Sequence, residues 1–299
     1  MKKYLITIFI GLVAIFICDF LIGTGLEYFY RKTKKSSHLG HITYTLEETN
    51  EDVLIFGTSR GHHHYDANMI ADSLGLTTYN TGLDGHFIFY QTAALKSVLA
   101  RYTPKKVVLD FSGTFEYDQS DYDRLATLLP YYDTHPELED IILMRSYFER
   151  YKLISSIYPY NSLILTIMKG NVAKDSKKNL NGYSPINKVY KGTLDSIPVK
   201  EYYEVDPNKI ESFKEFLKLS KDNDIDIVVV CSPNYYEFKK SYSLELCRDM
   251  CKEFEVPFLD YSKDEYYLKH VELFKDRTHM NKQGATRFTQ EIIDLLKKS

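Results

Sequence analysis

Apolar residues are densest at the start of the chain. Behind Met-Lys-Lys, residues 4–22 (YLITIFIGLVAIFICDFLI) form a nearly unbroken apolar run, and about 20 such residues cross a bilayer as a helix. The run predicts a transmembrane signal anchor over residues 1–30, followed by a charged juxtamembrane linker over 31–50. From residue 51 the pattern changes to short apolar runs that alternate with amphipathic stretches. Residues 52–56, 77–80, 105–110, 225–231 and 256–260 read as strands, the first of them ending at Gly57. Residues 66–74, 90–102, 207–223, 243–254 and 284–297 carry apolar residues at helical spacing. Strands and helices in alternation pack as a parallel sheet with helices on both faces. The expected fold class is therefore α/β, a three-layer α/β/α flavodoxin-like parallel sheet over 51–299.

Residues 117–205 break this alternation. They hold helical pieces at 138–151 and 153–168, a Lys/Asn/Ser/Gly-rich turn at 174–184 and no convincing buried strand, so they read as a mainly helical insertion. An insert between strands of such a sheet lies near their carboxyl ends, where ligands bind. It is expected to act as a lid or substrate cap, or else as a flap over the sheet edge.

Retention of the N-terminal run is favoured over its removal, because it exceeds the ~7–15-residue core of a cleaved signal peptide, although Gly23-Thr-Gly25 offers small residues for a cut. Lys2 and Lys3 precede the run and Arg31, Lys32, Lys34 and Lys35 follow it. Positive charge on both flanks leaves orientation to inference, and the expectation is a C-terminal domain outside the cytoplasm. Asp19 lies inside the run, where a carboxylate is costly unless it sits at an interface or has a partner.

Composition narrows the function classes. Apolar residues at 44% and charged residues at 26% are ordinary for a folded domain. A net charge of −3 provides no basic field for a phosphate backbone, so nucleic acid is not an expected partner. The 26 tyrosines, with no tryptophan, suit half-wet surfaces that touch polar ligands such as sugars. Cys18, Cys231, Cys247 and Cys251 are too few and too unevenly spread for a disulfide framework. They read as free or buried thiols, a bridge from Cys231 to one of the last pair being the alternative for an exported domain.

Chemistry is concentrated in two places. Gly57-Thr-Ser59-Arg-Gly61 follows the first strand directly, and a serine at such a turn can present its hydroxyl above the carboxyl edge of the sheet. It becomes a nucleophile only if a histidine, itself held by a carboxylate, takes its proton. Asp276-Arg-Thr-His279, on a short stretch before the last helix, offers both groups. The GxSxG string also fits the nucleophile elbow of α/β-hydrolases, but there the serine follows several strands and the acid and base sit on separate loops. A serine after the first strand, with acid and base in one tetrad, resembles the SGNH/GDSL hydrolase superfamily. Its first block is matched by Gly57-Thr-Ser59, its second by Asn80-Thr-Gly-Leu-Asp-Gly85 and its last by Asp276-Arg-Thr-His279. The resemblance runs from about Val53 to the C-terminus, with 117–205 outside it.

That resemblance implies the SGNH hydrolase fold, a Ser59–His279–Asp276 triad, and an oxyanion hole made by the backbone N–H groups of Ser59 and Gly85 with a side-chain amide from a third block. The third block departs from the family: Phe111-Ser-Gly-Thr-Phe-Glu116 contains no Asn, leaving Ser112 and Thr114 as substitutes. Candidate substrate contacts are Arg60, for an anionic group, His64, and Asn161 and Tyr183 in the insertion. His62-His-His64 does not read as a metal site, because consecutive side chains diverge and the spacing of catalytic zinc ligands is missing. No metal or cofactor is expected. The implied activity is ester hydrolysis or O-acyl transfer, of acetyl by preference, on a cell-envelope or exported polysaccharide. Partners are a glycan or an acylated small molecule, the membrane, and a membrane acyl-donor protein. The alternatives are a glycan-binding or assembly protein that has lost efficient chemistry, and a lipid-directed esterase.

Overall fold

Runs of β-branched and aromatic residues buried on both faces make the central sheet. In the computed structural model, which describes residues 1–172, 180–197, 204–238 and 241–298, the strands in chain order are β1 (Val53–Gly57), β2 (Thr78–Asn80), β3 (Lys106–Asp110), β4 (Asp195–Ile197), β5 (Asp226–Cys231), β6 (Tyr236–Phe238) and β7 (Phe258–Asp260). Five of them form one parallel sheet in the order β2-β1-β3-β5-β7, and β4 pairs with β6 in a separate two-stranded sheet. Gly57 lies opposite Asp110 and Asp110 opposite Val230, so β1, β3 and β5 end level with one another. Their carboxyl ends create the edge where ligands bind in sheets of this type.

The longer helices are α1 (Lys2–Arg31), α2 (Ser59–His64), α3 (Ala67–Leu74), α4 (Ile88–Leu99), α5 (Ile164–Val172), α6 (Pro207–Asp222), α7 (Tyr242–Glu253) and α8 (Lys282–Leu296). Alternate residues of a strand point to opposite faces of the sheet. Val53 and Ile55 of β1, with Val108, Val228 and Val230, pack against Ala67 and Ile70 of α3 and Phe288, Ile292 and Ile293 of α8. Phe56 points the other way and meets Phe216 of α6 edge-on at 5.3 Å, while Thr92 of α4 donates to the Ser212 carbonyl of α6. Helices therefore cover both faces of the sheet, and the fold is the expected three-layer, flavodoxin-like α/β/α. Side-chain caps start two of the helices. Asp66 accepts from Asn68 N and Met69 N at the start of α3, and Asn281 accepts from Gln283 N and Gly284 N at the start of α8.

The chain forms two compact units, residues 45–121 with 177–299, and residues 1–44 with 122–176. The first contains the sheet. In the second, α1 is followed by a helix at His38–Thr43, capped by Ser37, that buries Leu39 and Ile42. The predicted linker 31–50 is thus largely folded. Apolar residues three apart give that helix a buried side, which the nearby charges conceal in the sequence. The insertion is also divided: 122–172 belongs with α1, whereas 180–197 belongs with the sheet unit and contains β4. The predicted helices at 138–151 and 153–168 are replaced by shorter pieces at Glu139–Leu143, Glu149–Lys152 and α5, with 3-10 turns at Arg124–Tyr131, Pro136–Leu138 and Tyr158–Tyr160. Pro159, which lacks an amide donor, lies inside the second expected helix and breaks it; the first is interrupted at residues 144–148, which contain no proline. Part of the predicted turn at 174–184, residues 174–179, lies outside the described residues. All four cysteines are free, Cys231, Cys247 and Cys251 being buried, and burial pushes the Cys231 thiol up to about 11.

Candidate active site

β1 ends at Gly57, and Ser59 is the first residue of α2. The sequence suggested a turn here; the chain instead goes straight into a short helix, which leaves the Ser59 side chain half-buried at the sheet's carboxyl edge. His279 arrives from a loop closed by Lys275 N donating to the His279 carbonyl at 2.9 Å and by an antiparallel bridge between Phe274 and Met280. The Ser59 hydroxyl lies 2.7 Å from His279 Nε2. On the other side of the ring, Nδ1 lies 2.9 Å and 3.0 Å from the two Asp276 oxygens. A carboxylate beside Nδ1 puts the ring proton there and leaves the Nε2 lone pair facing the serine, as a general base requires.

Asp276 is held by the chain that carries it. Its Oδ1 accepts from the backbone N–H of Thr278 and of His279, each at 2.9 Å, and from the Thr278 hydroxyl at 3.0 Å. Partial burial opposes its charge, but these amide donors and the His279 ring outweigh it and hold the carboxyl well below the usual carboxylate range. Burial of the His279 ring lowers its pKa below the ordinary 6.5; the Asp276 carboxylate pulls the other way, and His63 and Lys275 add to the lowering. The imidazole is accordingly neutral at pH 7.

The loop is fixed from several sides. His64 Nε2 accepts from Met280 N at 2.9 Å, so its proton is on Nδ1, which donates to Ser232 Oγ at 2.9 Å. Burial, with Arg60, His279 and His63 nearby, keeps His64 neutral. Tyr235 N donates to the Arg277 carbonyl at 2.7 Å, Tyr190 N to that of Phe274 at 2.7 Å, and Lys282 N to that of Ile186 at 2.6 Å. Arg60 is buried, donates to Ser232 Oγ at 3.1 Å and to the Ser232 carbonyl, and faces Asp110 Oδ1 at 3.8 Å. Tyr65 OH donates to the other Asp110 oxygen at 2.6 Å.

The expected substrate contacts are therefore redistributed. Arg60 and His64 are internal: their polar atoms are used by Asp110, Ser232 and Met280, so the substrate role expected for them is corrected to one of support. Tyr183 is buried in the core cluster, its hydroxyl without a partner among the described residues. Asn161 is exposed and belongs to the α1 unit, whereas Ser59, Asp276 and His279 belong to the sheet unit.

Gly85, in the loop after β2, has a positive φ of 73° that glycine adopts without cost. Leu83 N donates to the Gly57 carbonyl at 3.0 Å and Thr81 N to that of Ile55 at 2.8 Å, tying this loop to the nucleophile strand. Neither the Ser59 nor the Gly85 amide donates a hydrogen bond among the described residues. Ser112 Oγ pairs with Thr58 Oγ1 at 2.5 Å, next to the nucleophile. Thr114 is exposed, its carbonyl accepting from Lys209 Nζ at 3.4 Å.

Two features escaped the sequence reading. The divergence expected of consecutive histidines is wrong for His62 and His63, which stack at 4.8 Å and both reach Asp84, at 2.8 Å and 3.3 Å. The ligand atoms of His62, His63 and Asp84 lie within 4.8 Å of one another, a set that could hold a metal ion, and they tie α2 to the Gly85 loop. Asn234 is buried, and neither side-chain atom has a partner among the described residues. It stands between Ser232, which touches Arg60 and His64, and Tyr235, which bonds Arg277. Its place just after a strand at the sheet's carboxyl edge was the signal available in sequence. Comparison with protein-family models and with curated proteins found no match to this chain.

Proposed function

We propose that the protein is an SGNH-type serine esterase or O-acyltransferase working through an acyl-Ser59 intermediate. The observation that carries this reading is the unbroken chain from Ser59 Oγ to His279 Nε2 at 2.7 Å and from Nδ1 to the Asp276 carboxylate at 2.9 Å. Ser59 Oγ attacks the acyl carbonyl while His279 Nε2 takes its proton; the same proton then goes to the leaving alcohol. Water as acceptor regenerates the serine and releases the acid, whereas a sugar hydroxyl receives the acyl group. The Ser59 and Gly85 amides bind the oxyanion, and Asn234 takes the part of the amide missing from the third block. Such donors act on charge that develops in the transition state.

The preferred substrate is an O-acetyl group on a cell-envelope or exported glycan, with the sheet unit outside the cytoplasm. The resemblance to the SGNH superfamily and the apolar N-terminal helix support that choice. A membrane acyl-donor protein would serve the transfer reaction. A non-enzymatic glycan-binding role is favoured by one observation, the third block without Asn. Full-length protein in detergent should release acetate from an O-acetylated polysaccharide, or move acetyl to a glycan acceptor, and Ser59→Ala should do neither. Equal binding of that polysaccharide by both proteins, with no turnover by either, would favour the binding role.

A further inference from the structure

The unit containing α1 has a second apolar surface. α1 is long and apolar enough to cross a membrane. Its apolar run, residues 4–22, spans roughly 28 Å at about 1.5 Å per residue, close to the thickness of a bilayer's hydrocarbon. Asp19 lies within the last turn of that run, and the turn after Lys152 reaches it: Ser155 Oγ and Ser156 N each donate to its carboxylate at 2.6 Å. Gly23 packs on the same turn so closely that a Cβ there would stand 2.4 Å from Ser156. Irregular backbone at the end of a membrane span is tolerated where protein or the polar interface satisfies it.

The turn is held firmly. Buried Glu149 pairs with Arg145 at 2.6 Å and Lys152 at 3.2 Å and accepts from Tyr158 OH. Further along, α5 packs on the carboxyl half of α1, Gly170 lying against Thr33 and Asn171 Nδ2 donating to the Phe29 carbonyl at 2.8 Å. Ile167 and Gly170 are the buried side of α5. At 3.6 residues per turn, Ile164, Leu165, Met168 and Val172 fall within roughly 100° of arc on its outer side. That side is apolar yet open: Leu165 is 71% exposed, Met168 59% and Val172 81%, and Ile154 on the Asp19-binding turn is 64% exposed. Lys169 and the Arg31–Lys35 stretch provide positive charge alongside.

We infer that this surface, Ile154 with the outer side of α5, rests in the headgroup and upper acyl region of an anionic bilayer, making the unit a membrane-seated foot and not only a single span. Its continuity with the end of the apolar run selects lipid as the occupant, and the adjacent cations select anionic headgroups. The inference rests on reading α1 as a membrane anchor.

The chain contains no tryptophan, so one introduced indole reports alone. Full-length Leu165→Trp, Ile154→Trp and Phe16→Trp are reconstituted into equimolar phosphatidylcholine and phosphatidylglycerol vesicles, with lipids brominated near the headgroup or near the chain end. Leu165→Trp and Ile154→Trp should emit at shorter wavelength than free indole and lose most of that emission to the shallow bromine, less to the deep one. Phe16→Trp, in the span, should be quenched by the deep bromine. Quenching of Phe16→Trp alone, with the other two water-exposed to iodide, overturns the foot and leaves the anchor standing. Shielding from iodide without bromine quenching means that the reconstituted chain itself, or a second copy of it, covers the surface, and also overturns it. No quenching of Phe16→Trp removes the anchor and the foot together.

Discussion

His279 is a base only while its ring is neutral. Burial lowers its pKa below 6.5 against the pull of Asp276, so the neutral form persists to a lower pH than for a free histidine. The proposed activity should therefore be present above the lowered pKa and lost as pH falls through it, with the acid limb of kcat/KM for p-nitrophenyl acetate below pH 6.5. A limb well above 7 would mean that the imidazolium is stabilised instead. Asn234→Ala should lower kcat by about 10²–10³-fold while leaving KM nearly unchanged, as for the loss of one oxyanion donor; an equal rate would remove Asn234 from the site. Arg60→Ala leaves Asp110 buried without its cation, at a cost of about 3–5 kcal/mol, read as an earlier urea midpoint of the sheet unit. Ser59, Asp276 and His279 were legible in sequence because each lies in a short local motif. Arg60 and His64 were not, because Asp110, Ser232 and Met280 reach them from far along the chain.

At the scale of elements, the active-site loops are placed by close backbone contact. A Cβ on Gly82 would stand 2.4 Å from His62 N, a clash with backbone that no rotamer relieves. Gly82→Ala should therefore push the Gly85 loop off α2, destabilising the sheet unit by about 1–3 kcal/mol and slowing Ser59 acylation; unchanged thermal unfolding and acylation would show that the loop has room to move. The strands β1, β3 and β5 were readable within one residue, since buried parallel strands appear as continuous apolar runs. The insertion was harder: its apolar spacing suggested two long helices, but Pro159 breaks the second and the first is interrupted at residues 144–148. Its partition between two units depends on contacts with α1 and with the His279 loop, which no local pattern records.

For the whole molecule, an apolar helix with its own folded surround and a sheet unit carrying the hydrogen-bonded Ser59, His279 and Asp276 are joined through the chain at residues 44–45 and 121–122. The fold class was legible because strand and helix alternation constrains topology strongly. The chemistry is a separate matter, since one α/β architecture supports many functions. Everything proposed for the sheet unit depends on Ser59 being nucleophilic. The most direct measurement is the intact mass of full-length protein after exposure to a fluorophosphonate, beside Ser59→Ala and His279→Ala. A single phosphonyl adduct on the parent, none on Ser59→Ala and slow labelling of His279→Ala is the predicted result; an unmodified parent, or equal labelling of Ser59→Ala, would contradict the triad.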